Sequence, residues 1–196
     1  AMRDDNPHVP WTPDEIAETA ARCREAGASI VHFHARNADG SPLHAIEAYA
    51  EIIRKIRARS DILVNPTLGW FSNDGDPAGR IRCVTTLARD PATRPDIAPI
   101  DTGSVNLDAW DAATRRFSHA ERVYTNRTDT LQMYARDFAA SGIKPQLVTW
   151  SIGFTRRAEA MMDEGLLPGT AYFLVNMTDG RCITGHPGTA EGLEAH

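Results

Sequence analysis

Two histidines and an arginine alternate along Ser29-Ile30-Val31-His32-Phe33-His34-Ala35-Arg36. Ile30, Val31 and Phe33 favour a strand, and a strand sends alternate side chains to one face, so His32 and His34 face the same way about 6 to 7 Å apart along the chain. Two imidazoles on one face can share one metal ion. The other reading is a pair of satisfied core histidines, but burying two histidines and an arginine on one short strand is costly without partners. The pattern therefore favours a metal centre, as a motif-level hypothesis.

The flanking residues predict where this strand sits. Ala26-Gly27 reads as a helix stop and Asn37-Ala38-Asp39-Gly40 as a turn, which places His34 and Arg36 at the strand's C-terminal end. Open sheets and barrels built from βα units carry their chemistry at that end. Ahead of it, Thr12-Pro13-Asp14-Glu15 predicts a helix start with a capping box, and Ile16, Ala20, Cys23 and Ala26 continue its apolar stripe. After it, a helix following Ser41-Pro42 carries Ile46, Tyr49, Ala50, Ile53 and Ile56 on one side.

Ile62 to Asn65 reads as a short buried strand, with Asn65 and Thr67 near the mouth of the same site. A third helix opens at Asp76-Pro77, and Pro95 to Asp101 leads as a strand into the polar loop Thr102-Gly103-Ser104-Val105-Asn106. Residues 107 to 127 show weak periodicity and read as a long loop with one strand around Arg122-Val123-Tyr124. Helical spacing returns from Leu131 to Phe138, followed by a strand from Gln146 to Trp150. A helix runs through Met161 to Gly165, a last strand covers Ala171 to Val175, and a helix begins near Thr189. Five strand regions separated mainly by helices mean parallel strands with right-handed crossovers.

The chain has 196 residues, 42% of them hydrophobic, so a single domain with one substantial core is expected. Twenty-one basic against 26 acidic side chains give a net charge of -5 without long blocks of either sign. Neither a nucleic-acid footprint nor a membrane span is indicated. Arg80, Arg82, Arg115, Arg116, Arg156 and Arg157 could touch a phosphate, although solvated helix faces explain most of them. The start, Ala1-Met2-Arg3-Asp4-Asp5, lacks the apolar stretch of a signal peptide, so a soluble, cytoplasmic protein is expected. Cys23, Cys83 and Cys182 are isolated and odd in number, which fits a reducing compartment and buried thiols without a catalytic role.

Four groups of residues, in order, resemble the β-keto acid cleavage enzymes, a family that includes the 3-keto-5-aminohexanoate cleavage enzyme. They are Asn6-Pro7-x-x-Pro10-x-Thr12-Pro13-x-Glu15-Ile16-Ala17, Ala26 to Arg36, Gly103-Ser104-x-Asn106 and Glu164-Gly165-Leu166-Leu167-Pro168. The resemblance implies a (β/α)8 TIM barrel, here incomplete, with its first strand and last strands missing. It also implies a zinc ion, bound by His32 and His34, and the use of acetyl-CoA to split a β-keto acid into acetoacetate and a new CoA thioester. Arg36, Thr67, Ser104 and Asn106 would stand at the catalytic mouth, and the barrel's exposed helices suggest a homo-oligomer.

Two departures from the family pattern bear on activity. The family's third zinc ligand is a glutamate in a Gly-x-Glu-Asp segment; Gly192-Leu193-Glu194 imitates it, but on what reads as a helix, so Glu194 is rejected as a ligand. Gln146 stands where the family usually has an active-site glutamate, and an amide cannot act as a base. The chain as written is therefore expected to be poorly active, and a longer form carrying Gly-x-Glu-Asp to be active. The alternatives are an inactive fragment or binding module that keeps the pocket, or another metal-dependent βα-barrel lyase or hydrolase.

Overall fold

The structure is a computed structural model and describes residues 3–4, 6–69, 76–178 and 182–196. Ala1, Met2 and Asp5 of the N-terminal stretch lie outside the described residues. The elements run α1 (Pro13–Glu25), β1 (Ile30–Phe33), α2 (Ile46–Arg57), β2 (Leu63–Pro66), α3 (Pro77–Leu87), β3 (Ile97–Asp101), β4 (Val105–Asn106), β5 (Ala109–Asp111) and β6 (Arg116–Ser118). They continue with β7 (Val123–Tyr124), α4 (Thr128–Ser141), β8 (Lys144–Thr149), α5 (Ile152–Asp163), β9 (Phe173–Val175) and α6 (Ala190–Glu194). All five expected strand regions are present, interleaved with helices. The chain forms two compact units, Ala1–Ala98 with Ala140–Lys144 and Pro99–Ala139 with Pro145–His196.

In the first unit, α1 starts where its capping box predicts. Thr12 Oγ1 accepts from the Glu15 N–H, and the Glu15 carboxylate accepts from the N–H groups of Thr12 and Trp11 and from Arg3. Those bonds, Thr12 first, then Trp11 and Arg3, hold the Glu15 carboxyl down to about 2 against an ordinary 4.5. A depressed carboxyl stabilises the fold above its unfolded value and loses that contribution as pH falls through the folded one. The expected result is an acid-side loss of thermal stability between about pH 4.5 and 2 that Glu15→Gln flattens, read as melting temperature against pH in the two proteins. Superimposable profiles would contradict the assignment.

Helix α1 buries Ile16, Ala17 and Ala20 against α2, which contributes Tyr49, Ile52, Ile53 and Ile56, each at most 1% exposed. The stripe expected on α1 gives out in its last turns, since Cys23 and Ala26 are exposed. Strand β1 pairs parallel with β2 in the register Ile30↔Leu63, Val31↔Val64, His32↔Asn65 and Phe33↔Pro66. Strand β2 is buried except at its first residue, Leu63, which is 42% exposed. Within it, Val64 O accepts from the Asp96 N–H while the Asp96 carboxylate accepts from Val64 N and Arg57.

Arg80 departs from the solvated helix face expected for it. It is only 1% exposed, on the face of α3 that also buries Ile81, Cys83, Val84 and Leu87. Of the three thiols, only Cys83 is buried, and burial, then the charge of Glu47, pushes it up to about 12. Cys23 is exposed and Cys182 half-buried, against the expectation of buried thiols throughout.

The second unit is built on a sheet ordered β3-β8-β9, in which β8 pairs parallel with β9. Helix α4 packs Leu131, Tyr134, Ala135 and Phe138 inward, as its spacing predicts. The stretch 107–127 holds the strand expected around Arg122-Val123-Tyr124, as β7 paired antiparallel with β4, but the part expected to be loop also contains an antiparallel hairpin of β5 and β6. Two local features make this hairpin. The Asp111 carboxylate accepts from the N–H groups of Ala113 and Thr114, and Arg115 takes a left-handed φ of 54° to close the turn. Trp110 and Phe117 then stack across it with ring centroids 4.8 Å apart. Strands this short carry too few residues for alternation to be read. Among the described residues, no helix is long and apolar enough to cross a membrane.

Candidate functional site

In the first unit, His32 of β1 and His34, one residue past the strand's end, bring their imidazoles together. His32 Nε2 and His34 Nε2 are 3.2 Å apart, and the ring planes meet at 79°. Two nitrogens bound to a tetrahedral ion at about 2.0 to 2.1 Å lie roughly 3.3 Å from each other, so this pair fits two adjacent positions of such an ion. Loss of water around the ring, followed by the nearby His32 and Arg36, brings His34 down to about 4. Its ring is therefore neutral at neutral pH, the form that binds a metal. Among the described residues, no group of three or more His, Cys, Asp or Glu surrounds a common point.

The other first-unit candidates sit around this pair. Asn65 stands beside His32 by strand register and is 1% exposed. The Thr67 N–H donates to Phe33 O, and its hydroxyl accepts from the Gly69 N–H, which fixes the turn after β2. Arg36 donates to Gly40 O at 2.7 Å, so its guanidinium closes the loop that follows the strand. That loop depends on Gly40, whose φ of 80° suits glycine and where a Cβ would collide with the Trp11 ring. A cavity of about 300 Å³ lies against the pair, lined by Val9, Ile16, Ala20, Val31 and Arg36 among others.

In the second unit, Thr102, Ser104 and Asn106 follow or flank the end of β3, and Gln146 lies inside β8. Ser104 Oγ accepts from the Asn126 N–H at 2.8 Å, and Asn126 Nδ2 donates to Gly103 O at 2.9 Å. Thr102 is fully buried and donates to Phe154 O at 2.9 Å, while a Cβ at Gly103 would strike the Phe154 ring. Asn106 is exposed, and its carbonyl accepts from the Thr184 hydroxyl. Gln146 is 6% exposed within β8.

Three positioning residues escaped the sequence reading. Asn126 holds the Gly103-Ser104 turn from 22 residues away. Asp101 joins Tyr124 Oη at 2.8 Å to Trp150 Nε1 at 2.7 Å, each donating to its carboxylate. Tyr49 was read only as core, yet its hydroxyl oxygen accepts from the N–H of Ala35, next to His34. Only the polar run Thr125-Asn126-Arg127-Thr128 hinted at any of them.

The whole of residues 1–196 matches the beta-keto acid cleavage enzyme family. Among curated proteins, the chain is 30% identical over 177 residues to the 3-dehydrocarnitine:acetyl-CoA trimethylamine transferase of Rhizobium meliloti, covering 82% of the chain and 55% of that protein. It is 30% identical over 169 residues to the 3-oxoadipate:acetyl-CoA acetyltransferase of Cupriavidus necator, covering 86% and 52%. It is also 26% identical over 174 residues to the 3-keto-5-aminohexanoate cleavage enzyme of Fusobacterium nucleatum, covering 87% and 56%. The chain thus spans about half the length of the curated relatives it matches. With the family matched from end to end, the chain belongs to the beta-keto acid cleavage enzymes.

Proposed function

We propose that the protein uses acetyl-CoA to cleave a β-keto acid, at a zinc centre that includes His32 and His34, on part of a (β/α)8 barrel. In this reaction the bond between C2 and C3 of the keto acid breaks, the C2 fragment joins the acetyl group to give acetoacetate, and the remaining acyl group leaves as a CoA thioester. The observation that carries the reading is the 3.2 Å His32–His34 pair in a chain of this family. The acetyl-CoA in the names of the relatives supports the choice of co-substrate.

When bound, zinc supplies Lewis acidity toward the keto oxygen and carboxylate of the substrate. His32 and His34 hold the ion, and the Arg36 guanidinium contributes positive charge for a carboxylate. Thr67, in the same unit as the histidines, contributes a hydrogen bond that orients the substrate, and Ser104 and Asn106 offer hydrogen-bonding groups in their own unit. Gln146 orients but does not move a proton. The barrel is proposed to assemble as a homo-oligomer.

The test is incubation of zinc-loaded protein with acetyl-CoA and 3-oxoadipate, 3-dehydrocarnitine, 3-keto-5-aminohexanoate or 3,5-dioxohexanoate. Mass spectrometry should reveal acetoacetate and a new acyl-CoA from at least one of them. Failure with every acid would overturn the catalytic reading. Gln146 favours a second one, a module that binds zinc and keto acid without turnover. Keto-acid binding that requires zinc, with no acyl-CoA formed, would select it.

A further inference from the structure

Residues Ser104, Asn106, Asp108, Phe117, Val123 and Ile183 line a cleft of about 590 Å³ that lies wholly within the second unit. That volume falls in the range of roughly 300 to 1,000 Å³ typical of small-molecule sites. Val123 stands across from Asn106 in the β4–β7 register, and Thr184 donates to Asn106 O at 2.7 Å, which ties the segment carrying Ile183 to the same ribbon. Phe117 packs against Trp110 with centroids 4.8 Å apart, so its ring is held in place while it stays 49% exposed. With Val123 at 47% and Ile183 at 55%, it makes three apolar walls open to solvent.

A single charge faces this cleft. Among the described residues Asp108 is the only ionisable side chain in the lining; it is half-buried, and no hydrogen bond or ion pair among those residues engages its carboxylate. The nearby cations stand outside the lining, Arg116 across from Asp111 in the β5–β6 register and Arg122 at 3.9 Å from Glu121. A carboxylate beside an aromatic ring attracts positive charge twice, through its own charge and through the face of the ring. Aliphatic walls then select among cations. A primary ammonium is strongly hydrated and brings three N–H donors that need acceptors, whereas methyl groups on nitrogen suit walls that accept no hydrogen bond. Ser104 Oγ accepts from the Asn126 N–H and so retains its own proton to donate, and Asn106 is exposed, so both can meet an uncharged oxygen.

We propose that this cleft binds a small alkylated ammonium compound, its nitrogen against Asp108 and Phe117, its alkyl groups along Val123 and Ile183, and an uncharged oxygen toward Ser104 and Asn106. The site goes beyond the reaction proposed above and rests on the second unit alone, so it stands or falls without the zinc centre.

Choline and 3,3-dimethylbutan-1-ol test this, because the alcohol has the shape of choline with carbon in place of the charged nitrogen. Each is titrated into the full chain, and into Asp108→Asn and Phe117→Leu, with binding read by calorimetry and folding by circular dichroism. Wild-type protein is expected to bind choline about tenfold tighter than the alcohol. Asp108→Asn is expected to remove most of that preference while leaving the alcohol unchanged, and Phe117→Leu to weaken choline about two- to fivefold. The comparison of the two ligands on wild-type protein decides the matter even if a variant fails to fold. Equal affinity for choline and the alcohol, or no binding of choline, would overturn the proposal. Choline binding that neither variant alters would place the cation elsewhere and overturn it as well. A dimer seen by sedimentation, with choline unbound, would overturn it in favour of a second copy of the chain covering the apolar walls.

Discussion

His34→Ala is expected to lower zinc affinity by about a hundredfold or more, with His32→Ala doing the same and Arg36→Ala leaving zinc bound. The two Nε2 atoms stand 3.2 Å apart and share one hydrogen bond, so an ion held by both takes the place of the proton between them. Removing one ring leaves a single protein nitrogen, and one imidazole competes poorly with water and buffer for zinc. Wild-type zinc should itself yield readily to chelators, because among the described residues no third ligand completes the set. Competition against a chromophoric chelator measures all four proteins on one scale. Equal affinity in wild type and His34→Ala would place any zinc elsewhere and remove the support for the proposed centre. Arg36→Ala separates ligation from charge, since its guanidinium is committed to Gly40 O and its loss removes a cation from the site without removing a ligand.

What could be read from the sequence was local. The His-x-His alternation needs only a strand, and β1 supplies one; the capping box of α1 needs four consecutive residues, and all its bonds form. The long α2 stripe likewise declared its buried side, because twelve residues give three turns over which period 3.6 can be distinguished. Features that depend on partners far along the chain did not show. Arg80 carries a charge, and sequence alone cannot indicate that the α3 face at that position is turned inward. Asn126 and Ser104 meet across an antiparallel ribbon whose two-residue strands leave no periodic trace. Residues 109–118 failed for a related reason: the hairpin is fixed by an Asp111 turn and one aromatic pair, which compete in the sequence with a polar, charged composition that reads as loop. Thr102 follows β3 as its sequence suggests, whereas Gln146, read as the first residue of its strand, is the third of β8; the burial of both is a property of the sheet they join.

Tyr49→Ala should destabilise the first unit by about 3–5 kcal/mol, the cost of emptying an aromatic position in a packed core. The ring is 1% exposed, 5.7 Å from Phe33 and 5.2 Å from His44 between centroids, so no neighbouring water can fill the space it leaves. Tyr49 also does something that a phenylalanine could not. Its hydroxyl oxygen accepts the Ala35 N–H at 3.2 Å, and Ala35 is itself only 2% exposed. Burial pushes the phenol upward, so it stays protonated and neutral across the working pH range. Tyr49→Phe therefore keeps the packing but leaves a buried N–H without its acceptor, a loss of about 1–3 kcal/mol. Because that N–H belongs to the residue after His34, the same variant should loosen the end of the histidine strand and weaken zinc severalfold, an effect that packing alone would not produce. Urea unfolding read by amide exchange across β1 and α2 measures the stability terms, and chelator competition measures the zinc. If Tyr49→Phe matched wild type in both, the Tyr49–Ala35 bond would have no part in holding His34, and the strand's own pairing with β2 would have to account for the 3.2 Å spacing of the two rings.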